Sequence, residues 1–380
     1  MSLLSKVRHV LRTEGAGSLF NRSQRYLRYR LMRARMDSTA VVTEWESLKN
    51  AYAGQRAFLI GNGPSLNQTP LHLLDGEATM CFNRFDLMLD RLPWRPTFYT
   101  VIDDRVLLDT VDIVNRLAAL SDHAFFPDIH PYCVDFRDRI DKQPNVHWLF
   151  LDKTDFSDRL PYCAIAKTVA NVGIQILVYL GFTEIYLVGV DMSYSVPKSA
   201  RRENVRDLTA TEDDDESHFD PRYFGKGRKF HVPMLDETFI KFREARTFCE
   251  QRGVQVVNST VGGKLEEFEL RDMDAVLALS DAEKRDRFRE LVESKVSGDF
   301  PSAWSSASRA PTFSSFEEVP SSERVFWAPA ERSGAIIMLA AGRYVPLGPL
   351  EGRHLWIRQD LFAEGALVSQ AAEANSGLSA

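Results

Sequence analysis

Short apolar runs alternate with amphipathic stretches through the first part of the chain. Ala57–Ile60, Thr79–Phe82, Thr97–Ile102, Ala124–Phe126, Val146–Phe150, Glu184–Val190 and Val254–Asn258 have the length of buried strands. Thr43–Tyr52, Thr168–Tyr179 and Asp236–Arg252 read as helices, and Gly181 and Gly253 stand where the last two should stop. Strands that alternate with helices predict an α/β chain, a mostly parallel Rossmann-like sheet with helices on both faces.

Outside this region the pattern changes. Residues 1–45 form a basic amphipathic segment: Met1–Met36 holds Lys6 and eight arginines against one acid, Glu14, with apolar residues at near-helical spacing. Such a segment suits the face of an anionic membrane, or packing on its own domain or a partner. Residues 46–275 are the expected nucleotide- or nucleotide-sugar-binding domain. Residues 276–322 hold a charged helix, Asp281–Lys295, and a linker rich in Ser and Pro over Ser302–Ser322. Residues 323–380 carry short apolar stretches, Val325–Trp327, Ala335–Leu339, Leu355–Ile357 and Ala366–Val368, which predict a small β-rich C-terminal appendage.

Composition narrows the classes. The chain has 380 residues, 44% of them hydrophobic, and a formal charge of −6, so a general nucleic-acid binder is not expected. Its four cysteines are far apart in sequence and make no C-x-x-C pair, which argues against a zinc knuckle and fits a reducing compartment. No apolar run reaches the roughly 18–20 residues of a membrane span, and no signal peptide is visible. The expected location is cytoplasmic, peripheral on the inner face of the cytoplasmic membrane.

The chemistry gathers at the strand ends. Gly61-Asn62-Gly63-Pro64-Ser65 follows the first strand. Two glycines let the backbone approach a ligand, Pro64 suits a first helical turn, and Ser65 can cap it, which together make an anion site. The same stretch also reads as a plain turn. It is neither the six-residue dinucleotide fingerprint nor a Walker loop. Asn62, Asn83, Asp103 and Asp191 each follow a strand, and in an open α/β sheet that edge is where ligands bind. Asp191 reads equally as a structural residue satisfying backbone N–H groups. Ser195–Ser217 is polar and reads as a mobile loop, either a lid over the site or plain surface, with the acidic run Glu212–Glu216 solvated.

Three stretches resemble a known group. They are Leu59–Leu66 (L-I-G-N-G-P-S-L), Leu180–Asp191 (L-G-F-T-E-I-Y-L-V-G-V-D), and the set Ser217-His218-Phe219, Tyr223-Phe224-Gly225, Asn258-Ser259-Thr260 and Gly262–Leu265. Together they resemble the domain shared by archaeal-type 6-hydroxymethylpterin diphosphokinases, flagellin-modifying Maf proteins and bacterial sialyltransferases of the Campylobacter type, over about residues 50–270. In the sialyltransferase branch the resemblance implies nucleotide contacts from Asn62, Asn83, Asp103 and Thr168, with Lys167 before it; Gly61, Gly63, Ser65 and Asp191 join them as binding candidates from the glycine turn and the strand ends. The resemblance implies a tyrosine at the leaving phosphate, for which Tyr194 is the nearest candidate, with Tyr223 and Lys167 as further donors the chemistry can use, and a histidine base, which here is His218, His231 or absent. The family's final histidine position holds Lys226, and its asparagine after the third strand is Asp103.

The expected function is therefore transfer of an acidic sugar from a nucleotide donor, a CMP-sugar, to a surface glycan, lipid-linked or flagellin acceptor, with no metal or other cofactor required. The diphosphokinase branch implies instead ATP and Mg²⁺ held by Asp103, Asp104 and Asp191. A non-catalytic nucleotide-sugar-binding scaffold is the third reading.

Overall fold

The computed structural model describes residues 12, 15–128, 136–153, 155–204, 207–296, 307–329, 337–340, 342–350 and 353–362. The expected strand Ala366–Val368 and the first eleven residues of the basic segment lie outside them. Nine strands form one sheet: β1 (Arg56–Ile60), β2 (Ala78–Phe82), β3 (Phe98–Thr100), β4 (His123–Pro127), β5 (Val146–Lys153), β6 (Tyr162–Ala164), β7 (Glu184–Val188), β11 (Gln255–Asn258) and β12 (Glu269–Leu270). Their order is β12-β11-β7-β1-β2-β3-β4-β5-β6, and every pairing is parallel.

The period of two along each strand feeds two cores. In β1, Ala57 and Leu59 join the core under α2 (Thr39–Leu48), α5 (Val169–Leu180) and α6 (Leu235–Glu250). Phe58 and Ile60 join the opposite core, under α3 (Asp104–Asp109), α4 (Val111–Leu120) and the 3₁₀ turns Pro64–Gln68 and Leu71–Leu74. A sheet covered on both faces needs such near-continuous apolar strands.

Several boundaries differ from the sequence reading, each for a local reason. The first helix ends at Leu48 rather than Tyr52, because Asn50 and Tyr52 donate instead to the carbonyls of Tyr179 and Leu180 at the end of α5. The third strand shortens to Phe98–Thr100. Strand β7 ends at Val188 because Gly189 turns to a φ of +68°, and a Cβ there would sit 2.3 Å from Leu66. Ser195–Ser217 is not an open loop along its described length. It supplies β8 (Arg201–Arg202) and β9 (Asp207–Thr209), which pair antiparallel; β9 also pairs antiparallel with β10 (Lys229–His231), and Leu208, Ala210 and Phe230 pack together there.

The C-terminal region is a four-stranded antiparallel sheet of order β13-β16-β15-β14, from β13 (Val325–Ala328), β14 (Ile337–Leu339), β15 (Gly342–Leu350) and β16 (Arg353–Arg358). Helix α7 (Asp281–Lys295), started by a Ser280–Glu283 capping box, puts Phe288, Leu291 and Val292 into its core. The stretch read as a linker packs here too: Trp327 Nε1 donates to the Ala307 carbonyl, and Phe316 meets Trp356 edge-on.

Two buried histidines tie this sheet to the main body. His354 of β16 donates through Nε2 to the Asn67 carbonyl at 2.6 Å, and His72 stands edge-on to Phe288 of α7. Asn67 in turn donates to the Phe219 carbonyl and accepts from Arg91. The C-terminal sheet thus reaches the neighbour of His218 through one asparagine.

Candidate active site

At the carboxyl edge of β1, β2 and β7 lies a cavity of about 230 Å³. Its walls include Gly61, Asn62, Gly63, Asn83, Lys167, Thr168, Asp191, Tyr194, His218 and Tyr223. Of the residues expected at the site, Ser65, Asp103, Asp104 and His231 are not on its wall.

The glycine turn is fixed from the neighbouring strand end. Ser65 donates its backbone N–H and its hydroxyl to the two Asp191 oxygens, at 3.2 and 2.7 Å. Ser65 therefore locks two strand ends together and does not cap the turn after it, whose N-cap is Gly63. Burial raises the Asp191 pKa, and the Ser65 hydrogen bonds oppose that rise. Gly63 is held so close that an added Cβ would lie 1.7 Å from Asp191 Oδ2. Gly63→Ala should break the Ser65–Asp191 lock and weaken ligand binding at least about 10-fold, since a shift of a turn by an ångström is felt at a preorganised site. Titration of the variant with nucleotide checks this, and wild-type affinity would show that the lock does not shape the site.

The helix start expected after the glycine turn is only a 3₁₀ turn, Pro64–Gln68. The long helix facing the cavity is α5 instead, which presents Thr168, Val169 and Ala170. Thr168 is its N-cap and accepts from Ala170 N at 3.4 Å. The rest of that first turn keeps the donor character of a helix N-terminus. Lys167, with a φ of +65°, is engaged by Glu237 of α6 at 2.5 Å.

His218 is the histidine on the wall. Its Nδ1 lies 2.8 Å from Asp215 Oδ2, and its ring stacks on Tyr223 at 3.8 Å with 4° between planes. Asp215 is buried and also accepts from the backbone N–H groups of Ser217 and Phe224. A carboxylate accepting at this place sets the tautomer with the hydrogen on Nδ1 and the lone pair on Nε2. His231 pairs instead with Asp207 on the small antiparallel sheet and is not on the wall. Asp215 corrects the reading of Glu212–Glu216 as solvated throughout. The signal for it was the Asp215-x-x-His218 spacing.

Three polar atoms around the cavity are buried without a hydrogen-bond partner among the described residues: Asn62 Oδ1, Asn83 Oδ1 and the Tyr194 hydroxyl. Asn83 takes the left-handed backbone (φ +51°) and gives its amide N–H to the Tyr223 hydroxyl at 3.1 Å. Burial raises the pKa of both Tyr194 and Tyr223, so both phenols stay protonated donors. A buried unsatisfied polar group costs about 1–3 kcal/mol, so these side chains hold hydrogen-bonding capacity that the described residues do not meet.

Of the carboxylates named for a magnesium nucleotide, Asp191 is on the wall and Asp103 and Asp104 are not. Asp103 caps α3, accepting from Arg105 N and Val106 N, and is not on the wall. Both Asp191 oxygens are taken by Ser65. Among the described residues, no group of three His, Cys, Asp or Glu side chains is placed to hold a metal ion.

No known family profile matches the chain, and no curated protein is similar to it in sequence. Solved structures are similar to it at low identity and low TM-score. The Maf glycosyltransferase from Magnetospirillum magneticum AMB-1 is 17% identical, with a TM-score of 0.37 over 64% of this chain and 38% of that one. The sialyltransferase CstII from Campylobacter jejuni with cytidine-5'-monophosphate is 11% identical, with a TM-score of 0.34 over 57% of this chain and 84% of that one. Its complex with CMP-3FNeuAc gives 11% and 0.33, over 57% and 86%. The chain thus spans well under half the length of the Maf protein.

Proposed function

We infer that the chain is a glycosyltransferase that moves an acidic sugar from a cytidine monophosphate donor to a hydroxyl acceptor. The observation that carries this reading is the pairing of His218 with buried Asp215 on the wall of a cavity that also holds unsatisfied Asn62, Asn83 and Tyr194 atoms. It supports a base poised beside a polar ligand. The sequence resemblance supplies the substrate class.

In this mechanism, the acceptor hydroxyl gives its proton to His218 Nε2 as its oxygen attacks the anomeric carbon. The bond from that carbon to the phosphate oxygen breaks, and the electron pair leaves with CMP. Asp215 fixes the ring and stabilises the imidazolium that forms. The Tyr194 hydroxyl and the first turn of α5 donate to the departing phosphate. Asn62 and Asn83 accept from ribose or base N–H and O–H groups. The acceptor is a surface glycan, a lipid-linked glycan or flagellin.

The test is release of CMP from a CMP-linked acidic sugar, with and without a hydroxyl acceptor. Acceptor-stimulated release by the wild type, abolished by His218→Ala, is the expected result. Nucleotide binding with no release from any such donor would favour the scaffold reading.

A further inference from the structure

Helix α1 (Gly15–Met36) has two apolar stripes, and the fold uses only one. Tyr29, Met32 and Met36, spaced three and four apart, pack on Phe150 of β5. Arg35 adds an ion pair to buried Asp128 at 2.8 Å. On the opposite face, Phe20, Leu27 and Leu31, spaced seven and four apart, are 62%, 60% and 58% exposed. Arg28 and Arg30, both exposed, lie on the two sides of that ridge.

The charge is as uneven as the hydrophobicity. The first 36 residues hold nine basic side chains and one acid, net +8, which leaves 38 basic against 52 acidic for the remainder, net −14. An anionic surface therefore attracts this segment and repels the rest of the chain. A second copy is a poorer occupant. Its helix carries the same positive charge, and three side chains over about 16 Å of helix fall far short of the roughly 1,200 Å² of a stable interface. No helix among the described residues is long and apolar enough to cross a membrane.

We propose that the outer face of α1 docks the protein on an anionic phospholipid surface, with Phe20, Leu27 and Leu31 entering the headgroup boundary and Arg28 and Arg30 pairing with lipid phosphates. The inner face, fixed on Phe150 and Asp128, makes the helix a rigid keel. Docking therefore sets the orientation of the whole body at the surface. None of this depends on the transferase reading, because the readout needs no substrate.

The test is sedimentation of the full chain with vesicles of equimolar phosphatidylcholine and phosphatidylserine, against pure phosphatidylcholine. The wild type should sediment with the first and not the second, and high salt should release it. Changing Phe20, Leu27 and Leu31 together to Ser should lower the partition at least about 10-fold. Arg28→Glu with Arg30→Glu should lower it about 20-fold or more. All five positions are exposed, so thermal unfolding should match the wild type. Absent wild-type binding, equal binding to neutral vesicles, or an unchanged triple variant would overturn the proposal. So would a dimer in velocity sedimentation that the triple variant loses, which would make the ridge a contact between copies.

Discussion

His218→Ala should lower kcat about 10²–10⁴-fold and leave the donor KM within a few-fold of wild type, the pattern of a lost general base. The ring is on the cavity wall, but its polar contact is with Asp215 and its flat contact is with Tyr223, so donor binding does not rest on it. Asp215→Asn separates the two parts of the arrangement. The carboxylate accepts from His218 and the Phe224 N–H on one oxygen and from the Ser217 N–H on the other, and in the amide one of these two places becomes an NH₂ that meets another donor. The ring then loses its fixed tautomer, and kcat should fall at least about 10-fold with KM again nearly unchanged. Steady-state kinetics of both variants decide the matter. Full activity in His218→Ala would remove the histidine from the chemistry.

Acid should loosen the C-terminal sheet well before it unfolds the whole chain. Burial, then the nearby Arg287 charge and His354, lowers the His72 pKa to about 3. Burial, then the Arg91 charge, lowers His354 to about 3, against an opposing hydrogen bond to the Asn67 carbonyl. Each ring is therefore neutral in the folded chain and takes a proton near 6.5 once unfolded. Between these values the unfolded chain binds more protons, so stability rises with pH across the window and is lost as pH falls from 6.5 toward 3. By pH 5 the two together should cost about 4 kcal/mol. Urea unfolding at pH 7 and pH 5 should show that loss. His72→Leu and His354→Gln should each remove about half of the difference. Hydrogen exchange should report the opening first in Val325–Arg358. A stability that does not change from pH 7 to pH 5 would contradict this role for the pair.

Seven of the nine strands of the sheet are legible because they are short apolar runs, most of them followed by glycine, asparagine or aspartate; β6 and the exposed β12 carry no such pattern. The same pattern pointed to the cavity edge, since Asn62, Asn83 and Asp191 end neighbouring strands. What escaped the sequence was set by contacts between distant residues. Ser65 looks like a cap until Asp191, 126 residues on, takes its hydroxyl. Asp103 looks like an edge ligand until the α3 N–H groups turn onto it. Asp215 sits in an acidic run that reads as solvated, and only the fold of the loop against Phe224 buries it. Strand β15 lies outside the apolar stretches read in the sequence because Pro346, Gly348 and Pro349 interrupt its pattern. A register shift between Leu347 and Pro349 lets the strand carry them.

The most direct test of the account is calorimetric titration of the purified chain with CMP and CTP against ATP, GDP and UDP, each with and without magnesium. The proposed function predicts that a cytidine nucleotide binds best, with no change on adding magnesium. Asn62→Ala and Asn83→Ala should each weaken that binding about 10-fold or more, as expected for hydrogen bonds to buried groups. Magnesium-dependent preference for ATP would contradict the account and return Asp103 and Asp104 to the centre of the chemistry.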